Sequence, residues 1–491
     1  MLLMTSTATM DLSKLYLGRL PVELLVYIGT FLENNKFRLY RTVKGESFRR
    51  SVGGFSPDGR WIVSSNEIWD FQNDPNRKNV KALRDNRWYD SASSSPNSRW
   101  VVSTTTYGDG DGAMRLIRIL DAANDFDSSS RKTLRGPPED DWTESSLGNK
   151  YSKPSHKYKT TTASFSPDSR WFVACKGTKD ICIYNAQKNF VLIKTLETRL
   201  SDIWNFYPTD RVNCAHFSSN GRWIVAASKY VVSLYDVRND FAFVKELTNP
   251  IPPNAFPPKI DLTSDIHPFY PIVVNTVFFS PNSRWVVSVR TGSSWVSNQA
   301  TGHYNPLRVL YIYDTTNKFA LIKEVREIFV VSNRSGKCCS GLGLVSFSPD
   351  SRWIAVRSDN FIRVFDAENN FELSKTLLVE RGSVQSRLCF SRDGRFLASN
   401  CGGTISMFSV ANDFSNIETP PEMSTFWSDL SSDSFSPDGR WFVLSKFRGP
   451  NNNVDTTSIW RTPTEPSKAF EHLLPEAHAF IMNNIPGKKK Q

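Results

Sequence analysis

The chain has 491 residues, of which 39% are hydrophobic and 13% aromatic, and its formal net charge is +11. This composition is typical of a globular protein and excludes a largely disordered chain. No apolar stretch approaches the roughly 20 residues of a membrane span, and the N-terminus has no basic leader. We therefore expect a soluble cytoplasmic protein, with the nucleus as the alternative, and no membrane partner.

The first predicted element is an amphipathic helix within residues 17–34, LGRLPVELLVYIGTFLEN. Proline suits the first helical position, and apolar residues recur at helical intervals from Leu24 to Leu32. The string LPVELLVYIGTFL resembles the opening of the F-box, whose first helices insert into the Skp adaptor of cullin-type ubiquitin ligases. This resemblance implies adaptor contacts by Leu20, Pro21, Glu23, Leu24, Ile28 and Leu32.

The resemblance covers only the first third of an F-box, and no long helical spacer follows it. An alternative alignment pairs VYIGTFLENNKF with NFIRVFDAENNF and makes residues 26–32 a degenerate strand. In that case the segment has no adaptor function.

The next predicted element, residues 35–43, reads NKFRLYRTV and closely matches NKFALIKEV at 317–325 and NNFELSKTL at 369–377. Residues 35–43 are therefore a displaced copy of the last strand of a repeating unit.

The repeating unit begins with a segment such as FSPDGRWIVSS at residues 55–65. Eight copies, some imperfect, occur before residue 446, and each is followed by a second signature such as RVFDAENNF from residue 363. In six units the residue before the Asp-like position lies six residues before a phenylalanine, as in Tyr184 to Phe190. The pattern predicts four short strands per unit, a to d, with a tight Ser-Pro-Asp-Gly turn between a and b.

Four-stranded units at such intervals are typical of β-propeller blades. The chain resembles the WD-repeat family over residues 35–461, although the Trp-Asp dipeptide survives only at Trp69 and Asp70. We expect an all-β, eight-bladed propeller, with seven blades as the alternative. The last unit lacks strand d, so residues 35–43 are predicted to supply it and to close the ring.

An arginine precedes the tryptophan of strand b, or its equivalent, in all eight units, from Arg60 to Arg440. A residue repeated in every blade is expected to be structural. Its predicted partner is the aspartate that ends strand c, such as Asp236 or Asp366.

The insertions at 127–158, 247–275, 291–308 and 326–343 are predicted to lie on the face with the b-to-c and d-to-a loops. Insertions gathered on one face typically mark a binding surface. Just past strand b, five units carry a cation, which predicts an anionic ligand at this face. These candidate partner-binding residues are Lys176, Lys229, Arg290, Arg357 and Lys446.

Residues 462–491 are predicted to form a helical segment with a basic tail, packed with the N-terminal helix on the opposite face. It either seals the channel or completes a docking module. The sequence contains no catalytic motif, and GDGDGA at 108–113 lacks the rest of a calcium loop, so we expect no enzyme, cofactor or metal site.

The favoured function is a non-enzymatic protein-interaction propeller, the substrate receptor of an F-box type ubiquitin ligase. Its expected partners are a Skp-type adaptor with its cullin complex and an acidic or phosphorylated protein substrate. Two alternatives remain open: a WD-repeat scaffold or structural assembly protein, and a binder of an anionic ligand or nucleic acid. Because the positive charge is spread along the chain, nucleic acid is the least favoured partner.

Overall fold

The structure is a computed structural model, and it describes a defined part of the chain. The described residues are 36–45, 54–63, 67–74, 80–82, 91–107, 114–127, 132–135, 163–175, 180–197, 212–228, 231–247, 273–294, 305–328, 344–358, 360–380, 387–401, 404–425, 430–446 and 455–463. The predicted N-terminal helix, the predicted C-terminal helix and the GDGDGA segment lie outside these residues.

The described residues contain thirty strands and no α-helix. The first half of them are β1 Arg38–Gly45, β2 Trp61–Val63, β3 Glu67–Asp70, β4 Val80–Ala82, β5 Ser91–Ser94, β6 Trp100–Tyr107, β7 Met114–Asp121, β8 Lys132–Arg135, β9 Ala163–Phe165, β10 Trp171–Cys175, β11 Asp180–Asn185, β12 Val191–Glu197, β13 Val212–Phe217, β14 Trp223–Ser228 and β15 Val232–Asp236. The second half are β16 Ala242–Glu246, β17 Val273–Phe279, β18 Trp285–Ser294, β19 Asn305–Asp314, β20 Ala320–Ile328, β21 Val345–Phe347, β22 Trp353–Arg357, β23 Phe361–Asp366, β24 Glu372–Leu378, β25 Arg387–Phe390, β26 Phe396–Cys401, β27 Thr404–Ser409, β28 Ser415–Ile417, β29 Trp441–Lys446 and β30 Asp455–Arg461. Helical structure in the described part is limited to four 3₁₀ turns, Ala122–Asn124, Val237–Asn239, Pro421–Thr425 and Ser432–Ser434.

The strands of the described residues form eight antiparallel sheets, each assembled in the order a, b, c, d. We number them along the chain: sheet 1 is β2–β4, sheets 2 to 7 are the successive groups of four from β5 to β28, and sheet 8 is β29, β30 and β1. In sheets 1 and 8 strand a is reduced to a single bridge, Phe55 to Ile62 and Phe435 to Phe442. The prediction of an all-β propeller is therefore confirmed.

The hydrophobic core lies between the sheets. Eight clusters of buried side chains each join one sheet to the next, and the eighth joins sheet 8 to sheet 1 through Val443, Ile459 and Phe55. Successive residues of a strand point to opposite faces, so each strand packs against both neighbouring sheets. The sheets thus follow one another in a closed ring.

Sheet 8 joins the two ends of the propeller. Strand β1 pairs antiparallel with β30, from Arg38 opposite Arg461 to Gly45 opposite Asp455. Strand β1 therefore supplies strand d of the last sheet, as the sequence predicted for residues 35–43. Phe37, just before β1, is 3% exposed and packs against Phe396 of sheet 7 and Phe442 of sheet 8.

Strand connections alternate between two faces of the ring. The a-to-b and c-to-d connections share one face, which we call the turn face. The b-to-c and d-to-a connections share the other, which we call the loop face. Most of the loop-face connections, including most residues of the predicted insertions, lie outside the described residues. The connection from sheet 7 to sheet 8 is described over residues 418–425 and 430–434, and the turn face is described almost completely.

Candidate interaction surfaces

The turn between strands a and b positions the repeated arginine. In sheet 6 the Ser348 hydroxyl accepts a hydrogen bond from the Trp353 backbone N–H at 2.8 Å and donates to Asp350. The Asp350 carboxylate in turn accepts from the backbone N–H of Arg352 at 3.0 Å. The Ser-Pro-Asp sequence is thus a self-capped turn that ends with the arginine on the turn face.

In sheets 1 to 7 the repeated arginine stacks on the ring that follows it. The guanidinium carbon lies 4.2–4.9 Å from the ring centroid in sheets 1 to 7, as in Arg284 over Trp285. In five sheets it also approaches the aspartate that ends strand c, at 2.9–3.8 Å, and these pairs are Arg60–Asp70, Arg99–Asp121, Arg222–Asp236, Arg284–Asp314 and Arg352–Asp366. The predicted aspartate partner is confirmed. Because these arginines are about half exposed, we expect each pair to contribute less than about 1 kcal/mol.

The tryptophan locks each sheet to the next one. Its ring meets, edge to face, the phenylalanine of the following sheet's c-to-d turn, with centroids 4.9–5.6 Å apart in seven interfaces: Trp61–Phe126, Trp100–Phe190, Trp171–Phe241, Trp223–Phe319, Trp285–Phe371, Trp353–Phe414 and Trp441–Phe71. The eighth interface substitutes Phe396 and Phe37, 6.1 Å apart. The sequence showed the recurrence of both residues but not that they meet across an interface.

The phenylalanine reaches its tryptophan through an unusual backbone. In sheets 2 to 7 it has a positive φ of 53–58°, and the residue before it has a φ of 47–52°, as in Phe371 and Asn370. A left-handed conformation is costly for a bulky side chain and persists only where packing determines it. Here the fully buried ring supplies that packing, which explains the fixed six-residue spacing in the sequence.

Neighbouring a-to-b turns are also joined by hydrogen bonds. The backbone N–H of Asn282 donates to the Ser351 hydroxyl at 2.8 Å, and three other pairs of sheets repeat this contact. The serine has a positive φ in each case, 65° at Ser351. Where the sequence has glycine instead, as at Gly221, the same φ is adopted without this bond.

Two of the five predicted loop-face cations are described in full, and both are buried. Arg290 is 6% exposed and lies over Tyr311 at 5.6 Å, and burial lowers the pKa of its guanidinium. Arg357 is 1% exposed and donates to the Ser399 hydroxyl and, at 2.9 Å, to the Glu380 carbonyl.

These two arginines do not share an interface. Arg290 is the fifth residue after its tryptophan and Arg357 the fourth, so their side chains leave opposite faces of their sheets. Arg290 lies with Tyr311 on the side facing sheet 4, whereas Arg357 faces Ser399 of sheet 7. The structure therefore separates them.

The remaining predicted site residues receive no side-chain description. Lys446 ends β29, where its backbone pairs with Thr456. Lys176, Lys229 and the six candidate adaptor residues lie outside the described residues. Within the described part of the chain, no helix is long and apolar enough to cross a membrane, and no three His, Cys, Asp or Glu side chains are grouped to hold a metal ion.

Comparison with known proteins agrees with this architecture. The family model described as WD domain, G-beta repeat matches residues 202–236 and 337–366. The two matches end at Asp236 and Asp366, the aspartates that close strand c of sheets 4 and 6 and pair with Arg222 and Arg352. No curated protein matches the chain. Together, the two matches and the ring of sheets support a propeller of the WD-repeat type.

Proposed function

We propose that the protein is a non-enzymatic interaction propeller in which each of the eight sheets is one blade. The observation that carries this proposal is the use of the repeated residues. The repeated tryptophan and phenylalanine hold neighbouring sheets together and the repeated arginine contacts residues of its own sheet, which leaves the unrepeated loops and chain ends to determine what binds. WD-repeat propellers generally act as interaction scaffolds, and this chain has the same division between a repeated frame and variable connections.

The specific role that we propose is substrate receptor of an F-box type ubiquitin ligase. The F-box-like string at 20–32 lies only a few residues before Phe37, the side chain that anchors β1 in sheet 8. An adaptor bound to that string would therefore be held close to the propeller. The acidic or phosphorylated substrate is assigned to the loop face, with Lys176, Lys229 and Lys446 as the direct contacts, because Arg290 and Arg357 are enclosed between sheets.

The test is co-purification of the tagged full-length chain from cells, followed by identification of the bound proteins. The proposal predicts recovery of a Skp-type adaptor and a cullin. It also predicts that Leu24→Glu combined with Ile28→Glu removes both while the circular dichroism spectrum is unchanged, since exposed anchors act as binding hot spots.

Two other outcomes would replace this role. If other proteins are recovered without an adaptor, the chain is a scaffold or structural assembly protein. If the double variant unfolds the whole protein, the N-terminal segment is part of the folded body and not a docking helix.

A further inference from the structure

The turn-face end of sheet 3 lacks the carboxylates that sheet 6 carries at the same place. In sheet 6 the last residue of strand c, Asp366, lies opposite Glu372 at the start of strand d. In sheet 3 the same two positions are Asn185 and Val191, which also lie opposite each other. These two positions are therefore uncharged in sheet 3.

The c-to-d turn of sheet 3 continues this replacement of acids by amides. Its sequence from residue 185 is NAQKNF. Gln187 stands where sheet 6 has Glu368, which lies 3.6 Å from the guanidinium of that sheet's repeated arginine. Asn189 stands where sheet 4 has Asp240, which lies 2.7 Å from a lysine of sheet 3. The turn has amides where other sheets have acids, and Lys188 is its one charged residue.

Three cations lie at this turn without a carboxylate partner. The Arg170 guanidinium stacks on Trp171 at 4.7 Å, and the Arg170 carbonyl accepts a hydrogen bond from the turn at 2.8 Å. The Lys132 ammonium, which comes from the outer strand of sheet 2, donates to the Asn189 carbonyl. Among the described residues, no ion pair joins Lys132, Arg170 or Lys188 to a carboxylate.

These cations are less neutralised than their equivalents in other sheets. The lysine at the position of Lys132 forms an ion pair with the following sheet in three other interfaces. The a-to-b turn of sheet 3 contributes one carboxylate, Asp168, which accepts from the Ser166 hydroxyl and, at 3.0 Å, from the Arg170 backbone N–H. Arg170 and Lys188 are both exposed. This end of sheet 3 therefore presents excess positive charge to solvent.

Beside the cations, the outer strand β12 exposes three consecutive large apolar side chains. Val191, Leu192 and Ile193 are 52%, 49% and 44% exposed. Ile193 is the extra residue of a β-bulge in the pairing with β11, and bulges re-aim side chains. Among the outer strands that the structure describes, no other exposes three large apolar side chains in succession. Apolar surface and positive charge thus adjoin at the start of β12.

The repeat does not require this apolar surface. At the position of Val191, sheets 4 to 8 have small or charged residues, namely Ala242, Ala320, Glu372, Ser415 and Arg38. Sheet edges usually carry charges that discourage association with other chains. An outer strand that begins with an apolar run instead favours such association.

The charge determines which kind of partner fits. A second copy of the chain would bring two sets of the same cations together, and like charges across an interface are unfavourable. Duplex nucleic acid needs positive charge along an extended surface, whereas these cations adjoin apolar side chains. We propose that this surface binds an extended segment of a partner protein, whose acidic residues contact the cations and whose apolar side chains cover the start of β12. We call this site the sheet 3 corner, and its residues are Lys132, Arg170, Lys188, Val191, Leu192 and Ile193.

The experiment measures fluorescence anisotropy of the full-length chain with a pool of labelled twelve-residue peptides, in which two acidic residues precede alternating apolar and varied positions. The reference pool has asparagine and glutamine in place of the acids. We expect the acidic pool to bind at least about tenfold more tightly than the reference pool, and this preference should shrink as salt is added. A 20-base-pair DNA duplex and phosphatidylserine vesicles are the competing classes of ligand.

Variants that copy sheet 6 locate the binding site. Asn185→Asp combined with Gln187→Glu restores the two acids of sheet 6, and it should abolish the preference for the acidic pool without lowering the melting temperature. Lys188→Glu, an exposed change in the same turn, should also abolish it, so the test survives if the double variant is poorly folded. Ile193→Asp should weaken the binding of both pools. The matched control is Ser374→Asp, which places the same charge at the exposed bulge position of β24 and should leave binding intact.

Four results would overturn the proposal. They are equal binding of the two pools, equal losses in the Ile193 and Ser374 variants, binding of DNA or vesicles that Ile193→Asp removes, and a dimer of the full-length chain that Ile193→Asp dissociates in sedimentation velocity. The proposal does not depend on the loop face or on adaptor binding, so its failure would leave the proposed function standing.

Discussion

Sheets 6 and 8 share the order of strands b, c and d but are built differently. Sheet 6 comes from one continuous stretch of chain between Val345 and Leu378, and its arginine, tryptophan and aspartate follow the repeat. Sheet 8 takes two strands from the end of the propeller and one from its beginning, and it carries arginine where sheet 6 carries aspartate. The comparison teaches that the repeat specifies the contacts between sheets, whereas ring closure depends on one strand taken from the other end of the propeller.

The largest effect on stability should follow removal of β1, the outer strand of sheet 8. Deleting residues 1–45 removes β1 and the buried Phe37, and it leaves the edge of β30 unpaired. We expect a loss of several kcal/mol of stability, on the order of 5 kcal/mol, together with aggregation through the exposed edge. Thermal unfolding followed by circular dichroism, with light scattering, measures both.

The matched control deletes only residues 1–33 and keeps β1. It should melt close to the full-length chain. If the two deletions have equal effects, or if the longer one stays monomeric and melts normally, β1 does not close the ring.

A single side chain should reproduce much of this effect. Phe37→Ala leaves a cavity between sheets 7 and 8 and should cost about 3–4 kcal/mol. Leu39→Ala, two residues away on the exposed side, should change stability by less than about 0.5 kcal/mol. Urea unfolding of both variants gives the comparison, and similar values for the two would mean that Phe37 does not anchor the strand.

The aromatic contacts between sheets allow the coupling energy of a regular interface to be compared with that of the interface between sheets 7 and 8. A double-mutant cycle on Trp285→Ala and Phe371→Ala should give a coupling energy of about 1 kcal/mol, because their edge-to-face contact is 5.3 Å between centroids. The cycle on Phe396→Ala and Phe37→Ala should give less, since those rings are 6.1 Å apart and tilted. Equal or zero coupling in both cycles would contradict the role given to the tryptophan.

The sequence predicted the sheets and the contacts within each sheet better than the contacts between neighbouring sheets. The arginine–aspartate pair was predictable because Arg352 directly precedes strand b and Asp366 ends strand c of the same unit, and the two strands are paired there. The tryptophan–phenylalanine lock was not, because its two residues belong to different units and spacing reveals recurrence without revealing a partner.

The loop-face cations show a second limit. Arg290 and Arg357 follow their tryptophans by five and four residues, and this difference sends them to opposite faces of their sheets. Grouping the two arginines because each follows strand b of its own unit ignored this one-residue difference in position.

The smallest predicted effects concern Asp366 of sheet 6 and Arg461 of sheet 8, which each end strand c of their sheet. Asp366→Asn in sheet 6 should cost less than about 1 kcal/mol, and the cost should shrink as salt is added, because the Arg352 side chain is half exposed. Arg461→Asp in sheet 8 should instead stabilise by about 0.5 kcal/mol, since it removes the like charge opposite Arg38 and gives Arg440 a strand-c aspartate. Urea midpoints at low and high salt measure both, and a loss of stability in Arg461→Asp would assign Arg461 a structural role.

The central claim is that β1, which comes from the opposite end of the propeller sequence, closes the ring as firmly as an outer strand that directly follows strand c in the sequence. Hydrogen–deuterium exchange of the full-length chain tests it directly by comparing the amides of β1 with those of β24, the equivalent strand of sheet 6. The account predicts protection of the same order in both strands, because both are paired and anchored by a buried phenylalanine. Exchange of β1 at the rate of an unstructured peptide, while β24 stays protected, would contradict it.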